Sequence, residues 1–433
     1  MEKRLTKFLR KTVEYSFYLW VFLLPWQTKL ILRPAATNFQ EIALYASQLF
    51  LLIIIIGFFI YKLRRPVHDE RISLLWFALA GLEVSILVSF FFAPDQFLAF
   101  YHYVLFLMGI SLFYLLREGS AAYSYEEVCF DKTLTIYWFF ASIFTQALLG
   151  IYQFLGQQAI ACKYLGLASH DSGILGAAVI EATSGRWLRA YGGMDHPNIF
   201  GGVLALVLII AGYLLAEKKM IRSKREAVQS VLLFIFYFVS LFALFFTFSR
   251  AAWLAYALGL ISLLITFIFK KDRWVLGRFI ALVFFSVVMI LIVVYPYRDL
   301  LQVRTEGGTR LEQKSLNERV EYLGQAGGLI KSNWLVGVGT GNYTVAVAAG
   351  DAVKKEAWAY QPVHNAFLLL WSEAGVFSLI FFLLFLFLLI KKDRRESFSG
   401  AVLIGMLVLM LCDHWLLSLP FGVIFLFFIL GLL

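Results

Sequence analysis

The run PNIFGGVLALVLIIAGYLLA at 197–216 carries no charged side chain over twenty residues. About twenty mostly apolar residues are what an α-helix needs to cross a bilayer. Working outward from it, comparable runs occupy 13–32, 39–61, 72–92, 96–116, 132–155, 229–248, 250–269, 276–295 and 364–390. Two shorter runs, 399–412 and 416–433, are separated by Asp413 and His414, so the C-terminal stretch is read as one span or two. The expectation is about twelve transmembrane helices.

The composition agrees. Of 433 residues, 61% are hydrophobic, only 15% are charged, and 44 are Phe. A soluble domain is roughly 45–50% apolar and about 25% charged. No water-soluble fold hides so much apolar surface, which excludes a soluble enzyme, a disordered chain and a coiled coil. Porin strands alternate polar and apolar residues, and these runs do not. Helices satisfy their own backbone hydrogen bonds in lipid. The fold class is therefore all-α, a single polytopic membrane domain over 1–433, with no internal repeat or soluble domain evident.

The formal charge of +10 reports orientation rather than nucleic-acid binding. With the N-terminus cytoplasmic and the spans alternating, the inner segments are 1–11, 62–71, 117–132, 217–228, 270–278 and 391–398. They hold 24 of the 38 Lys and Arg. Of the remaining 14, eight lie in one long outer segment, 296–363. Short cytoplasmic loops attract Lys and Arg, whereas long translocated loops escape the rule. Cys129, Cys162 and Cys412 show neither a CxxC nor a metal spacing, so neither a disulfide framework nor a zinc site is expected. The first apolar run has no convincing small-residue cleavage site and is read as a span.

Two outer segments are long, 156–196 and 296–363, and loops of that length in a membrane protein usually carry a function. In the second, Ser315-Leu316-Asn317-Glu318 fits a capping box. Leu316, Val320, Leu323, Gly327 and Ile330 recur behind it at helical spacing, which predicts an amphipathic helix over 316–331 on the outer membrane face. Gly337-Val338-Gly339-Thr340-Gly341 lacks the full dinucleotide fingerprint and is read as a flexible turn.

Ionisable groups near membrane depth are costly, so they mark candidate sites. His364, in Gln361-Pro362-Val363-His364-Asn365, sits where the long loop re-enters the membrane. Its pKa range suits proton removal from a hydroxyl; interfacial packing is the plainer reading, and both stand. Arg250 opens a span on the outer side, where the topology rule disfavours it, and a guanidinium is the best side-chain fork for phosphate. Arg319 lies early in the proposed interfacial helix, as a phosphate ligand or as the partner of a nearby Glu. Asp195 is a candidate N-cap for the sixth span, where His196 and Asn198 bind an anion or a sugar hydroxyl, or simply start the helix. Arg186, Arg189 and Tyr191 precede that start and are candidates to line the same cavity. His68, His170 and His414 are read as structural. No acidic pair such as DxD stands outside, so no metal is expected.

These features resemble the O-antigen ligase and O-antigen polymerase superfamily of bacterial membrane glycosyltransferases. The resemblance covers 190–390 and rests on GGMDHPNIFGG at 192–202, FTFSRAAW at 246–253, NERVEYLGQAGGLIKSNWLVGVGTGNY at 317–343 and PVHNAFLLLWSEAGV at 362–376, in that order. It departs from the family's pattern at Ala251, in place of a common glycine, and at Trp334, in place of a common proline. The resemblance implies that Arg250 and Arg319 engage the diphosphate of an undecaprenyl-linked glycan and that His364 activates an acceptor hydroxyl. Arg189, His196, Asn198, Asn365 and Tyr360 are then candidate substrate contacts. It further implies a multi-pass protein of the bacterial cytoplasmic membrane with its site facing outward, metal-independent inverting transfer, and no cofactor. The acceptor would be a lipid A–core sugar for a ligase, or another lipid-linked repeat for a polymerase. A protein-directed oligosaccharyltransferase would differ again only in acceptor. A polysaccharide flippase is the alternative of another class, but transporters usually carry repeats and midplane polar groups, whereas here the polar candidates gather near one face.

Overall fold

A computed structural model describes residues 2–35, 37, 39–63, 73–120, 130–174, 176–218, 223–306, 309–392 and 397–433. His68, Cys129 and parts of the basic segments lie outside the described residues. The chain opens with α1 (Glu2–Leu23), a hairpin of β1 (Lys29–Arg33) and β2 (Ile42–Tyr45), then α2 (Ala46–Leu63), α3 (Leu74–Phe90), α4 (Gln96–Ser120) and α5 (Lys132–Gly156). Two small antiparallel hairpins follow: β3 (Gln158–Ala159) with β4 (His170–Asp171), and β5 (Val179–Ala182) with β6 (Gly185–Leu188). Four long helices come next: α6 (Pro197–Glu217), α7 (Lys224–Phe246), α8 (Arg250–Lys270) and α9 (Arg273–Val294). The long loop holds α10 (Arg298–Glu306), α11 (Arg310–Asn333) and α12 (Tyr343–Gly350). The chain ends with α13 (Ala366–Lys392), α14 (Ser397–Cys412), the short α15 (Trp415–Ser418) and α16 (Pro420–Leu432).

Among the described residues, eight helices are long and apolar enough to cross a membrane, and three shorter apolar helices accompany them. The architecture is that of a mostly helical, polytopic membrane protein. A helix occurs in each of the twelve apolar runs. At the C-terminus, Asp413 and His414 break the chain between α14 and α15.

Helices that are apolar on every side belong inside a bundle. Accordingly α6 is buried from Ile199 through Ala211, with α7, α8, α9 and α14 around it, and α16 is buried along its whole length against α4. The peripheral helices instead turn large apolar side chains outward, among them Ile261 and Ile265 on α8 and Phe284 and Phe285 on α9. Apolar surface on that scale needs a nonaqueous neighbour.

Three local expectations change. The helix predicted over 316–331 runs from Arg310 to Asn333 with Thr309 at its N-cap position, so Ser315 is inside it and forms no capping box. Residues 310–314 continue the helix upstream, and Glu318 pairs with Lys314 at 3.6 Å. Leu316, Val320 and Leu323 remain exposed, as an interfacial stripe requires, while Tyr322 and Ala326 pack inward. The N-cap of α6 is His196 rather than Asp195, because the imidazole Nδ1 accepts the Asn198 N–H at 3.1 Å.

The third concerns Gly337–Gly341. It is a turn, with positive φ at Gly337, Gly339 and Gly341, but it is pinned into a break in α13. That helix is interrupted at Gly375, where φ is 77° and ψ 176°. Val338 and Gly339 donate to the carbonyls of Ser372 and Glu373 at 2.9 and 2.8 Å, and Val376 donates to Trp334 at 2.9 Å. The turn thereby supplies the hydrogen bonds that the interrupted helix cannot make for itself.

Candidate active site

The turn joining α7 to α8 collects arginines. Ser249 caps α8, its hydroxyl accepting from Ala252 N at 3.4 Å, and Arg250 is the first helical residue. Phe248 before it is buried with φ at +47°, a region that L side chains seldom occupy. The carbonyls exposed by this turn are used as acceptors. Arg189 Nε donates to Thr247 O at 2.7 Å, and Arg304 Nε donates to Phe248 O at 3.0 Å. Arg250 donates to Arg304 O at 3.3 Å.

One carboxylate offsets this positive charge. Glu312, buried on the first turn of α11, lies 3.0 Å from the Arg250 guanidinium and also pairs directly with Arg304. Arg319 sits two turns further along α11 and is half-buried. Among the described residues it makes no hydrogen bond or ion pair, so the pairing with a nearby Glu that its sequence allowed is not formed. Its charge acts instead on Arg304, Cys412 and His414.

His364 is mounted just before α13. Asn365 accepts from the amides of Phe367 and Leu368, each at 3.0 Å, and its side-chain amide donates to Leu411 O at 3.2 Å. The rigid mount is therefore the Asn365 cap, with Pro362 four residues ahead of the helix. Nδ1 of His364 lies 3.5 Å from a carboxylate oxygen of Asp413. The His414 ring stands 5.1 Å away between centroids and the Tyr322 ring 6.0 Å. His414 Nδ1 is 2.6 Å from Ser418 Oγ, and its backbone N–H donates to Asp413 at 2.8 Å.

Arg189 and Asn198 join the two groups. Arg189 Nη2 donates to Asn198 Oδ1 at 2.7 Å, and the Asn198 amide donates to Asp413 at 3.4 Å. Two polar groups result, Glu312 with Arg250 and Arg304, and Arg189 with Asn198, Asp413, His364 and His414, and they meet at the adjacent carbonyls of Phe248 and Thr247.

Charge states follow from this packing. Burial, together with the nearby Arg304, draws Arg189 down to about 9, so it stays cationic at neutral pH. Burial, with Arg189 adding to it, draws His196 down to about 3. Burial also draws His414, in the break between α14 and α15, to about 3 despite Asp413 beside it. Burial alone would raise Asp413, but the hydrogen bond and charge of His364, and the charge of His414, hold its carboxyl well below the ordinary range.

The structure thus brings together Arg250, Arg189, Asn198, His196, His364 and Asn365, with Arg319 in electrostatic range. Arg186 and Tyr191 do not line this site. Arg186 faces Glu181 at 3.8 Å within the β5–β6 hairpin, and Tyr191 stacks on His170 while accepting from Ala178 N. Tyr360 tethers its own loop, accepting the Lys355 N–H at 2.9 Å. Sequence reasoning misses Glu312, Arg304 and Asp413 as site residues and reads His414 as structural. Their signal was present for the last two, since both interrupt an apolar run. The ligand atoms of His364, Asp413 and His414 lie within 4.8 Å of one another, a spacing compatible with a metal ion.

Comparison with known families bears on this geometry. Residues 235–383, which include Arg250, Arg304, Glu312, Arg319 and His364, match the family model described as O-antigen ligase. No curated protein matches the chain. Over this stretch, about a third of its length, the chain is similar to the O-antigen ligase family.

Proposed function

We propose that this protein transfers a glycan from undecaprenyl diphosphate to a sugar hydroxyl at the outer face of a bacterial cytoplasmic membrane, as a ligase with a lipid A–core sugar as acceptor. The observation that carries the reading is the Arg189–Asn198–Asp413 bridge, which holds a cationic cluster and a His–Asp pair in one network. Arg250, Arg304 and Arg319 would face the diphosphate, a group that guanidinium forks bind well. With Nδ1 turned toward Asp413, the Nε2 of His364 takes the acceptor proton, in the base–orienter arrangement.

The acceptor oxygen then attacks the anomeric carbon as the C–O bond to the diphosphate breaks. The electron pair leaves with the diphosphate, where the arginines offset the growing charge. Attack opposite the leaving group inverts the anomeric centre. The chain's own groups account for this step without a cofactor. The orientation, with the N-terminus cytoplasmic, rests on the Lys/Arg bias of the short loops.

The test is reconstitution of the purified protein with an undecaprenyl-diphosphate-linked glycan and candidate acceptors, with and without chelator. His364→Ala, Arg250→Ala and Arg319→Ala are expected to abolish transfer while inserting normally. Full activity of the His364 variant removes the base role. Loss of wild-type activity with chelator replaces the metal-free reading with one in which His364, Asp413 and His414 bind an ion. One added glycan per acceptor supports a ligase and a ladder of products a polymerase. Flux of the lipid across the membrane without product supports a flippase.

A further inference from the structure

His364, Asp413 and His414 also carry the chemistry of a metal centre. A zinc ion bonds at about 2.0–2.2 Å to imidazole nitrogen and carboxylate oxygen, which sets tetrahedral ligand atoms roughly 3.3–3.6 Å apart. Nδ1 of His364 lies 3.5 Å from Asp413 Oδ1, and Nε2 of His414 lies 3.9 Å from the same oxygen. The three ligand atoms are all within 4.8 Å of one another. A small turn of the two rings closes the remaining gap.

Three further observations point to a ligand there. Nδ1 of His364 is buried, and among the described residues no hydrogen bond satisfies it, since 3.5 Å to Asp413 is long for one. A buried polar atom in that state calls for a partner. The other two ligands are held from behind, as metal ligands are. His414 Nδ1 meets Ser418 Oγ at 2.6 Å, and when Nδ1 donates there Nε2 keeps its lone pair. Asp413 accepts the His414 N–H at 2.8 Å and the Asn198 amide at 3.4 Å. The cluster also has an entry path, because 21% of the His364 side chain is exposed, against 9% of Asp413 and 7% of His414.

We propose that these three residues bind a zinc-class divalent ion, and that the bound ion switches transfer off. Two imidazoles and one carboxylate suit zinc rather than magnesium, which takes an octahedron of oxygens. Three protein ligands leave a fourth position to water. The inference rests on the transfer reading above and adds its regulation. A neutral imidazole has one N–H. In the transfer-competent state that proton is on Nδ1, facing Asp413, and Nε2 holds the lone pair that takes the acceptor proton. The ion needs the Nδ1 lone pair, so the proton resides on Nε2 instead. The base is lost with no net gain or loss of a proton at the ring. Arg189 and Arg319, both in electrostatic range, oppose a further positive charge, so binding is expected to be weaker than at a structural zinc site.

The test is calorimetric titration of the full chain, stripped with chelator and held in nanodiscs, with zinc chloride and then magnesium chloride. The expected result is one zinc per chain, no magnesium, and at least a tenfold loss of zinc affinity in His414→Ala. Should that variant lose its melting transition, Ser418→Ala, which removes the hydrogen bond behind His414, is expected to weaken zinc at least fivefold. The same zinc is expected to stop transfer by the wild-type protein, and EDTA to restore it. Absence of zinc binding, equal affinity in wild type and the folded variant, undiminished transfer at zinc saturation, or transfer that requires zinc overturns the proposal. Zinc binding that is sensitive to His414, in a protein that transfers nothing with or without the ion, leaves the metal site standing and overturns the transferase reading.

Discussion

Arg250 and Glu312 lie 3.0 Å apart although sixty-two residues and the whole of α9 and α10 separate them in sequence. The same carboxylate pairs with Arg304, so it sets the spacing of two guanidiniums. Removing one partner of a buried ion pair costs about 3–5 kcal/mol, because the remaining charge is left uncompensated. Glu312→Ala is therefore expected to lower the melting temperature in detergent clearly and to reduce transfer at least tenfold. An unchanged melting curve would show that the arginines are held by their backbone acceptors alone.

Asp413→Asn keeps the size of the side chain but removes the charge that faces His364. If Asp413 orients the imidazole and stabilises its protonated form as the proton is taken up, kcat falls at least a hundredfold with little change in donor KM. A proportional rise in KM with constant kcat would assign Asp413 to substrate binding instead.

The Gly337–Gly341 insert predicts opposite outcomes for two glycine groups. A Cβ on Gly339 would collide with Ala93, one on Gly341 with the His102 ring, and one on Gly375 with the Leu335 carbonyl, all at positive φ. Alanine at any of these is expected to cut the yield of folded protein sharply. Gly324, inside α11, has open space where a Cβ would sit, with nothing within 4 Å. Gly324→Ala should therefore stabilise by about 1 kcal/mol through helix propensity, read as a small rise in melting temperature.

Acid should destabilise the fold before the carboxylates titrate. His196 and His414 are both drawn down to about 3 from an ordinary value of 6.5. A group with a lowered folded value contributes stability above its unfolded pKa and loses it as pH falls, since the unfolded chain takes up the proton first. Melting temperature is thus expected to drop from about pH 6.5 downward, with Asp413 adding to the loss further down. His196→Asn, which retains a capping acceptor, should flatten part of that slope; an identical slope would place the effect elsewhere.

Much of the fold was legible because apolar runs of bilayer length admit few alternatives, as α6 illustrates. Arg250 and His364 stood out for a related reason: each occupies a position where burial or topology disfavours it. Glu312 and Arg304 gave no such signal, since acidic and basic residues are ordinary in a long loop, and only the fold shows them buried together. Ser315 misleads because residues 310–314 upstream continue the helix, and Asp195 because the next residue, His196, supplies the capping acceptor instead. Taken alone in the sequence, His414 reads as structural; only the fold brings it against His364, fifty residues away.

The Arg189–Asn198–Asp413 bridge has both its ends outside the stretch 235–383 that matches the O-antigen ligase family model. Recombining that stretch alone between homologous chains would carry over the arginine turn and the histidine but not the struts that fix their mutual distance. Divergence in the flanking helices can therefore shift the arginines relative to His364 while each of these side chains is retained.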